Sequence, residues 1–393
     1  MRKLYATTHL MTVRVDIPPE MYEWAARRAR RDLDALADRF DKLPDWLSGA
    51  AKPTLKQLEK FANATHTPIG YFFLSTPPEE EVPIADLRTV ADQTVKRPSA
   101  DLLETIYICE RRQGWYREHL RYEDPGRELS WVGSATAGDN PLEVAAVVRR
   151  VLDFEMNERR GFRTWAEALR TLIQRVDELG VLVMINGVVG NNTHRPLDVD
   201  EFRGFALADR VAPLVFVNGK DTKSAQMFTL VHELAHLWLG ESALSDVPLA
   251  NSAHRIERWC NQVAAEVLVP GASLGSEASV KGDLSVELQR LARLYKVSTL
   301  VLLRRMHELQ LIDDDHFRET YAREQARVMA LVREGSGGNF YATQSMRTSP
   351  TFARAIVASA LQGDTLLRDA MQLLSISKVS TLQEMGYRFG LAA

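Results

Sequence analysis

The chain has only two cysteines in 393 residues, Cys109 and Cys260, far apart in sequence. They make no disulfide framework, which suits a reducing compartment, and the expected location is the cytoplasm. No stretch approaches the roughly 18 apolar residues of a membrane-crossing helix. Met1-Arg2-Lys3 is not followed by the apolar run of a secretory signal. A net charge of −3 gives no global attraction to nucleic acid or to a membrane surface. No internal repeat is visible. What remains is an ordinary balance of 45% hydrophobic and 26% charged residues, long enough for two or three domains.

One stretch carries chemistry. Residues 228–240 read Phe-Thr-Leu-Val-His-Glu-Leu-Ala-His-Leu-Trp-Leu-Gly and contain the pattern H-E-x-x-H. Residues four apart share one face of a helix, so His232 and His236 can hold one metal ion together. Glu233 lies beside them, within reach of a water whose pKa such a metal lowers, and can take its proton. This is the chemistry of a zinc peptidase. Phe228, Leu230, Val231, Leu234, Ala235, Leu237 and Leu239 predict a buried helix, and Gly240 is a natural stop. Two histidines and a glutamate inside such a helix are costly unless they are paired or ligate something.

A zinc site needs a third protein ligand and an open fourth position. The segment 254–270 has helical spacing, ends at Pro270 and offers Glu257 and Glu266. Glu257, Asn261 and Ala264 share one face, and Ala264 is small enough for close helix packing. Glu266 lies nine residues from Glu257, about half a helical rotation away, so both cannot face one metal. Of the two, Glu257 is the expected ligand and Glu266 the structural or solvated carboxylate. Asn261 could hydrogen-bond a ligating histidine.

His232-Glu233-Leu234-Ala235-His236-Leu237-Trp238-Leu239-Gly240, followed by E-R-W-C-N-Q-V-A-A-E-V-L-V-P from Glu257, closely resembles the ImmA/IrrE family of metallopeptidases. In that family H-E-x-x-H is followed by E-x-x-A-N-x-F-A-A-x-x-L-M-P. Cys260, Val263 and Val269 stand where the family has Ala, Phe and Met. The resemblance implies a gluzincin-like site with one Zn2+ per chain on His232, His236 and Glu257, and Glu233 as base. Mn2+ could replace the zinc. It also implies a protein substrate, a helix-turn-helix repressor or an antitoxin-like protein, whose cleavage releases transcription.

Ahead of this, residues 1–78 predict a small helical unit with helices over 19–31, 33–40, 43–47 and 54–65. Asp45-Trp46-Leu47-Ser48-Gly49 and the following Lys52-Pro53-Thr54-Leu55-Lys56-Gln57-Leu58 resemble the latter half of a Cro/repressor-type (XRE) helix-turn-helix domain. Between Phe40 and Gly49 the chain is roughly one turn short of a full recognition helix, and Pro44 interrupts it. Operator binding is one reading of this unit, with DNA as partner. The other is a degenerate domain kept for docking a protein or for packing.

Residues 79–98 form a Pro- and Glu-rich linker. Helices follow over 99–121, 141–152 and 164–179, with Trp115, Tyr116 and Trp165 as core. Strands are expected over 181–186, 203–208 and 213–218, the last two as a hairpin, with a polar loop at 191–196. In gluzincin-like peptidases such a sheet covers the metal helix, and its edge pairs with an extended substrate. Residues 271–282 read as a flexible polar stretch. Residues 284–307 have the form of another helix-turn-helix, 321–334 continue helical, 335–338 break the chain, and helices return over 350–361 and 365–374. The whole is α+β and mostly helical: a helix-turn-helix-like unit (1–78), a linker (79–98), a zincin-like metallopeptidase domain with a small antiparallel sheet (99–310) and a helical C-terminal region (311–393). An oxyanion donor near the metal would come from His254, Tyr341 or His194. Two functions fit: a cytoplasmic zinc endopeptidase acting on a repressor-like partner, or a DNA-binding regulator whose metallopeptidase-like domain is a sensor or scaffold.

Overall fold

Pro and capping residues punctuate the first helices. The computed structural model describes residues 13–86, 98–245, 255–279, 282–332 and 347–391. Helix α1 (Pro19–Arg28) opens on a proline at its first turn, where the missing N–H is not needed. Asp32 caps α2 (Leu33–Arg39) by accepting from the Asp34 N–H. α3 (Leu43–Leu47) has five residues with Pro44 in its first turn, and α4 (Leu55–Ala64) starts on a Thr54–Gln57 capping box. Tyr22, Trp46, Phe61 and Phe72 fill the core between them, with the Tyr22 and Phe61 rings edge to face at 5.4 Å.

The chain divides into two compact units, Met1–Val82 with Lys96–Glu104, and Pro83–Val95 with Thr105–Ala393. The second unit carries a five-stranded sheet. Its strands are β1 (Ala85–Asp86), β2 (Leu182–Asn186), β5 (Gly204–Leu207), β6 (Leu214–Asn218) and β7 (Ala243–Ser245), in the order β1-β7-β5-β6-β2. A separate ribbon pairs β3 (Val188–Val189) with β4 (Asn192–Pro196), so part of the expected polar loop is a strand. The hairpin β5–β6 is antiparallel, as is β5–β7, but β2 runs parallel to β6 and β1 parallel to β7. The sheet is therefore mixed rather than antiparallel. Every residue of β2 and β6 is buried, as expected of strands covered on both faces.

The helices after the first unit are α5 (Ala100–Glu123), α6 (Pro141–Leu152), α7 (Met156–Gly161), α8 (Trp165–Glu178) and α9 (Lys223–Leu239), then α10 (Arg255–Leu268), α11 (Gly271–Glu277), α12 (Leu284–Tyr295), α13 (Thr299–Glu308) and α14 (Asp314–Val332), of which α8 packs on β2. α9 lies on β5 and β6 and packs against α8 and α10, while α10 also packs on α6. The stretch expected to be flexible after Pro270 is helical as α11.

Three further helices, α15 (Pro350–Gln362), α16 (Leu367–Leu373) and α17 (Val379–Arg388), complete the described chain. They are tied to the sheet unit by polar groups. Arg112 donates through Nε to the Leu373 carbonyl at 2.8 Å, and Asn191 donates to the Ser375 carbonyl at 2.7 Å. Ser349 donates to Asp177 at 2.8 Å. Residues 87–97 of the expected linker and the expected break at 335–338 lie outside the described residues. Among the described residues no helix is long and apolar enough to cross a membrane.

Candidate metal centre

α9 is fixed at both ends. Thr222 caps its start by accepting from the Ala225 N–H, and Gly240 ends it at φ 72°, the left-handed conformation that glycine adopts without strain. The last carbonyls are used by a neighbouring loop: Gly133 N–H donates to the Leu237 carbonyl at 3.0 Å and Ala135 N–H to the Trp238 carbonyl at 2.9 Å. Any Cβ on Gly240 would stand 2.9 Å from the Gly133 Cα, so this glycine also permits the close approach. Trp131 packs on Trp238 with ring centroids 4.3 Å apart. Between these ends every residue from Gln226 to Trp238 is buried, including His232, Glu233 and His236.

The first turn of α10 brings Glu257 to the two histidines. Its Oε2 lies 3.2 Å from His232 Nε2, its Oε1 lies 3.1 Å from His236 Nε2, and the two Nε2 atoms are 3.2 Å apart. The three side chains are 0–3% exposed. Three ligand atoms on a tetrahedron with bonds of about 2.1 Å stand roughly 3.4 Å apart, so this triangle has the dimensions of a zinc site. The donor set, two imidazoles and a carboxylate, is one that zinc takes. Burial opposes ionisation of Glu257, but the His232 and His236 imidazoles outweigh it and hold its carboxyl well below the usual carboxylate range. Burial pushes His236 down, against the pull of Glu257, which keeps the imidazole neutral and able to ligate.

Glu233 is fully buried on the same turn of α9 as His232. Gly204, the first residue of β5, passes directly over it. A Cβ there would stand 3.0 Å from Glu233 Oε1, 2.8 Å from the Phe216 carbonyl and 2.6 Å from Thr229 Cγ2. A glycine inside a strand pattern signals such a close approach, and Gly204 lies within the strand expected over 203–208.

The remaining candidates are placed as follows. Asn261 lies on α10, one turn past Glu257. Its buried Oδ1 has no hydrogen-bond partner among the described residues, and neither has His232 Nδ1. His194 is exposed on β4, while His254 and Tyr341 lie outside the described residues. Glu266 points to a different cluster: it pairs with Arg305, lies 3.7 Å from Arg149 and accepts from the Gly271 N–H at 3.1 Å. It is a structural carboxylate. Cys260 is fully buried, and burial, helped by Glu257, pushes its thiol well above the ordinary range, so it fills space as a small residue.

Residues 176–307 match the family model described as the IrrE N-terminal-like domain, Peptidase_M78. The match spans β2, α9 and α10 and thus all three candidate ligands and Glu233. Residues 348–388 match a second model, described as a domain of unknown function, DUF8813. No curated protein matches the chain.

Proposed function

We propose that this chain is a zinc-dependent endopeptidase that cleaves a repressor-like or antitoxin-like protein and thereby regulates gene expression. The observation that carries the reading is the buried triangle of His232, His236 and Glu257 with Glu233 on the same helix turn. The match of this region to a peptidase family supports it.

His232, His236 and Glu257 would hold the ion. A Zn2+ there supplies Lewis-acid polarisation of a peptide carbonyl and acidifies a water in its open position. Glu233 accepts that proton on a carboxylate oxygen and can return it to the departing amine. Burial of its carboxylate strengthens this exchange, because little bulk water screens it. The absence of a side chain at Gly204 leaves Glu233 the room it occupies. Neutral His236 and ionised Glu257 present the lone pairs a cation needs.

The first unit serves in this reading as the element that steers the enzyme to its target, either a helix-turn-helix partner or the operator that partner occupies. The five-residue α3 offers less than a full recognition helix, which favours a protein contact over DNA reading. It also weakens the alternative of a DNA-binding regulator with a scaffold-like second unit. Two free, buried cysteines suit action in the cytoplasm.

The deciding experiment pairs metal analysis with cleavage. Purified chain is assayed for bound zinc and for cutting of repressors encoded beside it, with Glu233→Gln as control. One zinc per chain and cleavage lost in the variant support the peptidase. Cleavage unchanged in the variant, or no metal bound, overturns it.

A further inference from the structure

We infer that a basic cavity at the start of the metal helix binds a small phosphate-bearing molecule. The cavity holds about 370 Å3, within the range of small-molecule sites, and lies between α8, α9, α12, α13 and α14. Its lining includes Lys223, Arg293 and Arg327 and no acidic residue. Arg327 is already neutralised, since Glu324 accepts from it at 2.8 Å and also accepts from Thr299 at 2.6 Å. The other two cations have no such partner. Among the described residues Lys223 Nζ donates to the neutral Gln226 Oε1 at 3.2 Å, and neither Lys223 nor Arg293 has a carboxylate partner. Two cations without a carboxylate partner on the wall of one concave site offer an anion two charge-assisted contacts.

The surroundings say which kind. The chain enters α9 at Thr222 and α13 at Ser298, both in the lining, and each cap accepts from only one backbone N–H of its helix. The other first-turn N–H groups add positive field to the same space. Trp165, Ala292 and Val297 form an apolar wall beside the charges. A phosphate held by Lys223 and Arg293, carrying a planar ring laid on Trp165, satisfies both parts. A phosphorylated nucleoside has that chemistry and fits the volume. No candidate metal ligand lines the cavity, so the inference does not depend on the peptidase reading.

Calorimetry on the full chain tests it, with adenosine monophosphate and inorganic phosphate as probes and adenosine as the uncharged control. The nucleotide should bind saturably, tighter than phosphate and at least about tenfold tighter than adenosine. Lys223→Gln and Arg293→Gln change two exposed side chains, so both should fold. Each should weaken the nucleotide, and together they should weaken it at least about tenfold with an unchanged Tm in the absence of ligand. No saturable binding by the native chain, equal binding of adenosine, or full binding by the double variant overturns the inference.

Discussion

Gly204 and Glu233 meet across the gap between β5 and α9, with no room for a methyl group between them: a Cβ on Gly204 would lie 3.0 Å from Glu233 Oε1. The sheet thus limits where the carboxylate can sit. Gly204→Ala should displace Glu233 or part β5 from α9, because the Phe216 carbonyl and the Thr229 methyl block the other directions. Overpacking of this kind costs about 1–3 kcal/mol. A lower Tm together with a fall in hydrolysis, with zinc still bound, is the expected result. An alanine variant with native Tm and native activity would show that the strand gives way freely.

Glu233→Gln preserves size but removes the base. Hydrolysis should fall by about 10²–10⁴, the usual contribution of general acid–base catalysis. Metal content, measured by elemental analysis, should not change, since Glu233 is outside the ligand triangle.

The two glutamates of α10 should separate cleanly. Glu257→Gln removes a ligand and should abolish stoichiometric zinc binding. Glu266→Gln breaks the buried pair with Arg305 and leaves Arg305 only the more exposed Glu308, so the loss should be at most the about 3–5 kcal/mol of a broken buried pair. The second variant should lose stability by chemical denaturation yet retain zinc while folded. The reverse pattern would exchange their roles.

Acid should destabilise the metal-free chain in two steps. His236 is held below its ordinary 6.5, so from pH 6.5 downward the unfolded chain takes up a proton that the folded chain refuses. Glu257 is held below its ordinary 4.5, so below pH 4.5 the unfolded chain gains a second such proton. Stability is thus fully present above 6.5 and falls with pH, more steeply below 4.5. Denaturation midpoints of chelator-treated protein across this range check it, and a flat profile would contradict it. Zinc in excess should raise the midpoint near neutral pH, the stability gain being about 4 kcal/mol at a thousandfold excess over Kd.

The local signals sufficed for much of this protein. H-E-x-x-H, with its apolar surroundings and Gly240, specified a buried helix with two histidines on one face, because helical spacing alone sets that relation. Rotation about a helix excluded Glu257 and Glu266 from facing one metal together, and the Glu266–Arg305 pair accounts for the carboxylate left over. The helix starts expected at residues 19, 54 and 141 lie at Pro19, Leu55 and Pro141 in the structure.

Tertiary structure decided the rest. That β2 pairs parallel with β6 depends on a crossing of the chain over many residues, which no local pattern encodes; only the unbroken apolar run of β2 hinted at it. β1 and β7 are too short to show a period, and exist because each finds a partner. The contact of Gly204 with Glu233 joins residues on different elements, as does the cavity where α9 and α13 begin. The sequence by itself determined the kinds of donor and their spacing along each helix. Packing alone decided which helices meet, what faces Glu233 and where unpaired charge collects, because these are distances between segments that the chain separates.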